Sequence, residues 1–422
     1  MLDIKYIREN KELVAQNSKN RGAKVDIDLL LELDDKKNKL RQEYDQIRAN
    51  KNKIKGKPTD AEIKKLALDK DREERLLGEI SEIETQFNEI WYAIPNLTHP
   101  AVKISDNEDD NPVLETVGTI PQFNFEPKDH VELAEINDLI DFERATKVAG
   151  SKFYYLKNEL AQLEFALIQY ALDITIKHGF TPFSTPDLAK KEVLMGLGFN
   201  PRGESTQVYN IDDTDLSLIG TAEITMGGYH MNEVLKAEDL PKKYVAVSHC
   251  FRTEAGSYSK FSKGIFRVHQ FTKIEMFQYV LPKNAEDAHQ ELLSIEKEIF
   301  SGLNIPFRVV DHCTADLGGP AIRTFDLEAW MPGKPNKDGS LGDWAEITST
   351  SNCTDYQSRA LNIKYETPEG KKELVYMLNG TAIAITRALI AIMENYQNID
   401  GSIAIPEALQ KYLNKKIIKR GE

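Results

Sequence analysis

The chain has 422 residues, enough for two to four domains of roughly 100–200 residues each, with ample core. Apolar residues make up 41% and charged residues 29%, which is ordinary for a folded chain and excludes a disordered one. Acidic residues outnumber basic ones by 67 to 54, a net charge of -13, which excludes a general nucleic-acid coat and makes any nucleic-acid contact local.

Residues 1–105 read as a helical arm, rich in Lys, Glu, Asp, Leu and Ile and nearly free of Gly and Pro. The opening stretch, Met1 to Val14, mixes Lys, Arg and Glu with apolar positions, a pattern of neither a signal nor a transit peptide. Leu33, Leu40, Ile47 and Ile54 recur every seven residues, and Gly56-Lys57-Pro58 breaks the run. A second run then carries Leu76, Ile80, Ile83, Phe87 and Ile90 at spacings of 4, 3, 4 and 3. Two such runs around a tight breaker predict an antiparallel helical hairpin. At about 1.5 Å per residue the first run, residues 29–55, reaches about 40 Å and is expected to project. Residues 36–57 hold nine Lys or Arg against Glu43 and Asp45, net +7. A solvated helix face is the ordinary explanation of such a stripe; a phosphate-backbone footprint is the better one where a nucleic-acid partner has independent support.

Pro95, Pro100 and the acidic, Pro-containing stretch that follows mark residues 106–126 as a linker, with the second domain at 127–422. There, helices such as Lys157–Lys177 and Ala285–Phe300 alternate irregularly with long strand-like segments, which predicts an α+β fold with an antiparallel sheet. Tyr244–Arg252 and Phe266–Val280 read as two strands of a long hairpin around a polar loop. Alternation puts Val268, Ile274, Met276 and Val280 on a core face, and Arg267, His269, Phe271, Lys273, Glu275 and Phe277 on the other. A guanidinium, a ring and a carboxylate on one face are costly to bury without partners. A ligand with phosphates, a flat base and an ammonium satisfies all three; a solvated face with cross-strand ion pairs accounts for any one alone. Gly380–Met393 reads as a helix apolar on nearly every side, with Arg387 its one charge, and is too short for a bilayer; membrane insertion is excluded on this reading. Cys250, Cys313 and Cys353 form no CxxC pair and no even framework, which points to a reducing, cytosolic setting. Neither GxGxxG nor GxxxxGK[ST] occurs.

The most specific signal is Phe251-Arg252-Thr253-Glu254-Ala255-Gly256, followed by Arg267-Val268-His269-Gln270-Phe271 and Glu275. This resembles motif 2 of class II aminoacyl-tRNA synthetases in the form used by seryl-tRNA synthetases. Gly179-Phe180 to Pro186-Asp187 resembles motif 1, and Leu378-Asn379-Gly380-Thr381 to Arg387, with Glu394-Asn395-Tyr396-Gln397, resembles motif 3. Thr221-Ala222-Glu223 and Glu346-Ile347-Thr348-Ser349 with Ser351-Asn352-Cys353 are similar to two further segments of that family, whose tRNA-binding arm is an N-terminal helical hairpin. The resemblance spans essentially the whole chain. It departs from the family at Thr-Ala-Ile-Ala-Ile-Thr-Arg, which lacks the glycines often found in motif 3, and at Gly220 and Thr348, where many relatives have proline and serine. The motif 2 loop, Ser257 to Gly264, has no arginine.

The resemblance implies a class II antiparallel sheet flanked by helices, with an N-terminal coiled-coil arm. It implies ATP-dependent attachment of serine to serine tRNA, and to selenocysteine tRNA where one exists, through seryl-adenylate, with release of AMP and pyrophosphate. Arg252 and Arg387 are then catalytic; Arg252, Thr253, Glu254, Arg267, Val268, Phe271, Glu346, Ile347, Thr348, Ser349 and Arg387 bind ATP; and Glu346 and Ser349 hold Mg2+. Thr221, Ala222, Glu223, Glu275 and Thr381 bind L-serine, with Glu223 and Glu275 sharing its ammonium and hydroxyl in an unassigned split. Lys51, Lys53 and Lys55 contact tRNA, and motif 1 forms a homodimer in the cytoplasm. A catalytically idle paralogue, an enzyme that loads a carrier protein and a coiled-coil scaffold are the competing readings. Intact Arg252, Glu275, Glu346 and Arg387 argue against the first and the long arm against the second, while the third explains the first hundred residues and nothing after them.

Overall fold

The computed structural model describes residues 1–53, 59–199, 207–255 and 261–420. It divides into two compact units, Met1–Leu97 and Thr98–Glu422.

The first unit is helical: Ile4–Glu9, Lys11–Asn20, Ile27–Asn52 and Asp60–Ala93. Each long helix starts where a side chain satisfies the open N–H groups of its first turn. Asp26 accepts from the Leu29 amide, and Thr59 and Glu62 cap each other reciprocally. Lys51 meets Glu73 and Lys37 lies 4.0 Å from the Phe87 ring centre, so the two helices run antiparallel. The heptad positions Leu33, Leu76, Ile80, Ile83 and Phe87 are buried, Leu40 and Ile90 pack partly against that seam, and Ile47 is half-exposed. Ile54, Lys55 and the Gly56-Lys57-Pro58 breaker lie outside the described residues.

The second unit is built on an eight-stranded sheet. In chain order its strands are β1 (Val113–Val117), β2 (Thr181–Ser184), β3 (Lys242–Phe251), β4 (Gln270–Val280), β5 (Phe307–Asp311), β6 (Arg323–Pro335), β7 (Leu341–Asn352) and β8 (Tyr376–Ala384). Their spatial order is β1-β5-β6-β7-β8-β4-β3-β2, and every neighbouring pair is antiparallel except β2 with β3. Helices Asn158–Lys177, Ala285–Gly302 and Ile385–Asn395 contribute Leu163, Ile295 and Leu389 to the main core, where Ile274, Met276 and Val280 of β4 meet them. The alternate residues Phe277 and Tyr279 enter a second cluster with Leu194, Ile219 and Met377, so β4 is an alternating strand buried on both faces. No helix among the described residues is long and apolar enough to cross a membrane.

Three segments differ from the sequence expectation. The expected linker, 106–126, carries β1, whose mostly exposed residues pair with β5 at the sheet edge. Regular pairing of the second hairpin strand begins at Gln270 rather than Phe266. The apolar run Gly380–Met393 is split, with β8 extending to Ala384 and the helix starting at Ile385.

Candidate active site

Strands β4, β7 and β8, the chain just past the end of β3 and the start of helix Ile385–Asn395 surround a cavity of about 400 Å³. Its walls include Thr221, Glu223, Glu275 and Thr381, then Arg252, Glu254, Arg267, Val268 and Phe271, then Glu346, Ile347, Thr348, Ser349 and Arg387. Two predicted residues do not line it. Ala222 is fully buried in the second core cluster, and the Thr253 amide donates to the Gln207 carbonyl at 3.1 Å. Gly256 and the loop residues Ser257–Lys260 lie outside the described residues. The cavity also recruits Phe266, Lys273, Asn379 and Thr386, which sequence reasoning did not assign to the site. Phe266, Arg267 and Val268 line it consecutively because they precede the paired part of β4, where strict alternation does not hold.

One group of wall residues is anionic and deeply set. Glu275 is 1% exposed and Thr381 faces it in the β4–β8 register, its hydroxyl donating to Oε2 at 3.3 Å. Lys273, two residues before Glu275, makes an ion pair with that same oxygen. Glu223, at the start of a short helix, accepts from Gln357 Nε2 at 2.7 Å. Burial and the charge of Glu275 push the Glu223 carboxyl up to about 7. The group offers carboxylate and hydroxyl acceptors suited to an ammonium and an alcohol.

The other group is cationic. Arg252 follows the end of β3, lies 5.3 Å from the Phe271 ring centre, and donates through Nε to the Gly220 carbonyl at 3.4 Å. Arg387 Nη1 lies 3.1 Å from Glu346 Oε2 and 2.8 Å from the Glu346 carbonyl oxygen, with its guanidinium 4.9 Å from the Phe266 ring centre. Arg267 Nη1 reaches Glu254 at 3.5 Å, while its Nε is buried with no hydrogen-bond partner among the described residues. An unsatisfied buried guanidinium donor on a cavity wall fits an anionic ligand. Burial pushes the Glu346 carboxyl up, but Arg387, helped by Arg252 and His312, outweighs it and holds the group below the usual carboxylate range.

Glu346 and Ser349 stand three residues apart, which in a regular strand places them on opposite faces. The β6–β7 register pairs Leu327 with Thr348 but Glu328 with Glu346, so Ile347 is an extra residue, a bulge. The bulge brings Glu346 and Ser349 to one face, opposite Glu328 and Asp326. A deprotonated carboxylate and a hydroxyl form an oxygen pair that suits a hard cation taking its remaining ligands from phosphate and water. Among the described residues no cluster of three or more His, Cys, Asp or Glu converges on a metal position.

Residues 1–98 match the seryl-tRNA synthetase N-terminal domain, and residues 207–396 match the tRNA synthetase class II core domain (G, H, P, S and T). The chain is 51% identical over 420 residues to a serine–tRNA ligase of Treponema denticola, with 98% of each chain covered. It is 50% identical over 429 residues to that of Dictyoglomus thermophilum, with 99% of each covered. The crystal structure of seryl-tRNA synthetase from Pyrococcus horikoshii complexed with ATP superposes with a TM-score of 0.85 at 39% identity, covering 100% of both chains. Cytoplasmic serine-tRNA ligase from Naegleria fowleri in complex with AMP gives 0.82 at 31% identity, over 100% of this chain and 99% of that one.

Proposed function

The chain belongs to the seryl-tRNA synthetase family, the serine–tRNA ligases of class II, and we propose that the cavity bounded by β4, β7, β8 and the chain just past β3 is where it joins serine to ATP. The reaction is ATP-dependent ligation of serine to serine tRNA. A serine carboxylate oxygen bonds to the α-phosphorus of ATP as the bond to the bridging oxygen breaks and pyrophosphate leaves. The tRNA 3′-terminal hydroxyl then attacks the seryl carbonyl, losing its proton, and AMP departs.

The observation that carries this assignment is the meeting, in one cavity, of Arg252, Arg267 and Arg387 with Thr221, Glu223, Glu275 and Thr381. The three guanidiniums suit a triphosphate; the carboxylates and hydroxyls suit a small amino acid. Arg252, fixed by Gly220 and Phe271, is placed to hold the charge that grows on the α-phosphate, a task for a planar, permanently charged group. Arg387 anchors Glu346 and extends the positive wall, and Arg267 with Glu254 and Val268 completes the nucleotide side together with Ile347 and Thr348. Phe271 offers a ring to the base. Glu346 and Ser349 would hold Mg2+, which when bound neutralises and polarises the phosphate oxygens. Serine is read by acceptors that alanine would leave unpaired, a large penalty in a buried site. The helical unit, Met1–Leu97, serves tRNA through Lys51, Lys53 and Lys55, and the unit Thr98–Glu422 carries the chemistry. Two copies pair through motif 1, and the enzyme works in the cytoplasm.

ATP–pyrophosphate exchange with each of the twenty amino acids, with magnesium and without tRNA, tests the assignment. Exchange with serine alone is expected. Exchange with none, or with another amino acid, overturns it.

A further inference from the structure

Lys273 is 7% exposed and shares the cavity face of β4 with Glu275, which is 1% exposed. Its ammonium pairs with Glu275 Oε2 and lies 3.3 Å from Thr381 Oγ1, and that hydroxyl in turn donates to the same Oε2. Both protein contacts of the carboxylate therefore fall on one oxygen. Oε1 makes no hydrogen bond among the described residues. A buried carboxylate that lacked a cation would take up a proton and present a donor where an acceptor is needed. One that met an arginine fork would give up both oxygens. A lysine, a single point charge on a flexible stem, satisfies one oxygen and spares the other.

Resting on the reading of this cavity as the serine site, we propose that Lys273 is a positioning residue of the amino-acid pocket: by engaging Oε2 of Glu275 together with Thr381, it leaves Oε1 as the acceptor that reads the donor groups of serine. Glu296, fully buried on helix Ala285–Gly302, stands behind this arrangement, its Oε2 accepting from Thr348 at 2.8 Å. It adds a third carboxyl to the neighbourhood in which Lys273 is the buried ammonium.

The test is pyrophosphate exchange by the full chain carrying Lys273→Met or Lys273→Arg, read as separate KM values for serine and ATP together with the serine-over-alanine preference. Lys273→Met is expected to raise the serine KM about 100-fold and to lower the preference about ten-fold, with the ATP KM changed less than about three-fold. Lys273→Arg, which keeps the charge and spans both oxygens, is expected to raise the serine KM with the ATP KM retained; this variant carries the test where Lys273→Met does not fold. An unchanged serine KM and preference in a folded variant, or parallel loss of serine and ATP binding, overturns the inference. Absence of serine-dependent exchange in the unsubstituted enzyme overturns the site assignment itself, and the inference with it.

Discussion

In the N-terminal unit charges pair mostly at the surface. Arg72 meets Glu43, Arg8 reaches from the surface to Asp35 and to the buried Asp34, and Lys51 meets Glu73 across the hairpin. In the second unit Lys273, Glu275 and Glu296 are shut inside, and Arg387 is largely covered. Exposed pairs contribute about 0–1 kcal/mol each and can be exchanged freely. Breaking a buried pair costs about 3–5 kcal/mol, although a well-packed apolar replacement of the whole pair often costs nothing. Stability therefore explains the apolar seam of the hairpin, but it does not explain why the second unit keeps ionic groups in its interior. On the proposed reading of the cavity, Lys273, Glu275 and Arg387 serve the ligand.

The sharpest way to break that comparison is Arg252→Ala. Pyrophosphate exchange should fall about 1,000-fold or more while the far-UV spectrum and thermal transition stay in place; a stability loss matching the rate loss would make the arginine a structural group. Deleting residues 30–92 is the reciprocal experiment. Exchange should persist while tRNA charging drops about 100-fold, and equal loss of both steps would show that the units do not divide the work.

A smaller effect is expected with pH. The Glu223 carboxyl rises from 4.5 to about 7 on folding, so between those values the folded chain keeps a proton that the unfolded chain has released. Stability from this group is complete below the unfolded value and is lost as pH climbs through about 7. Activity runs the other way, because only the ionised carboxylate attracts an ammonium. The kcat/KM for serine should rise with pH through an inflection near 7, and Glu223→Gln should flatten it. An unaltered inflection in that variant assigns the titration elsewhere.

Smallest are the arm lysines. Lys53→Ala should reduce the salt slope of tRNA affinity by about 0.9. Lys51→Ala should reduce it less, since Glu73 already shares that charge. Triple replacement of Lys51, Lys53 and Lys55 with no change in slope would leave the stripe a solvated face.

The hairpin was readable because its apolar residues repeat along a single chain segment, and the Phe271-Lys273-Glu275 face was readable because β4 keeps strict alternation. What failed depends on partners. The count of +7 along residues 36–57 took no account of the facing helix, which supplies Glu73 to Lys51 and engages Glu43 with Arg72. The apolar run from Gly380 holds nothing to separate a buried strand from a buried helix, and β8 continues to Ala384 before the chain turns helical. β1 carries a mostly exposed pattern with no apolar period to detect. Lys273 was visible on the right face, but its role needed Thr381 from a strand about a hundred residues later, brought opposite by register. The roles of Glu346 and Ser349 came from resemblance alone, since their spacing by itself argued against a shared face.

That spacing has a consequence for how the site can be lost. A β-ladder counts in twos, so an interval of three reads as a change of side, and one surplus residue at Ile347 restores the parity. The register survives an exchange of side chain at that position but not its removal, whatever Ile347 itself contributes to the core. A single-codon deletion there would keep both Glu346 and Ser349 in the chain and still turn Glu346 to the far side of the sheet. At this strand, the length of the text matters more than one of its letters.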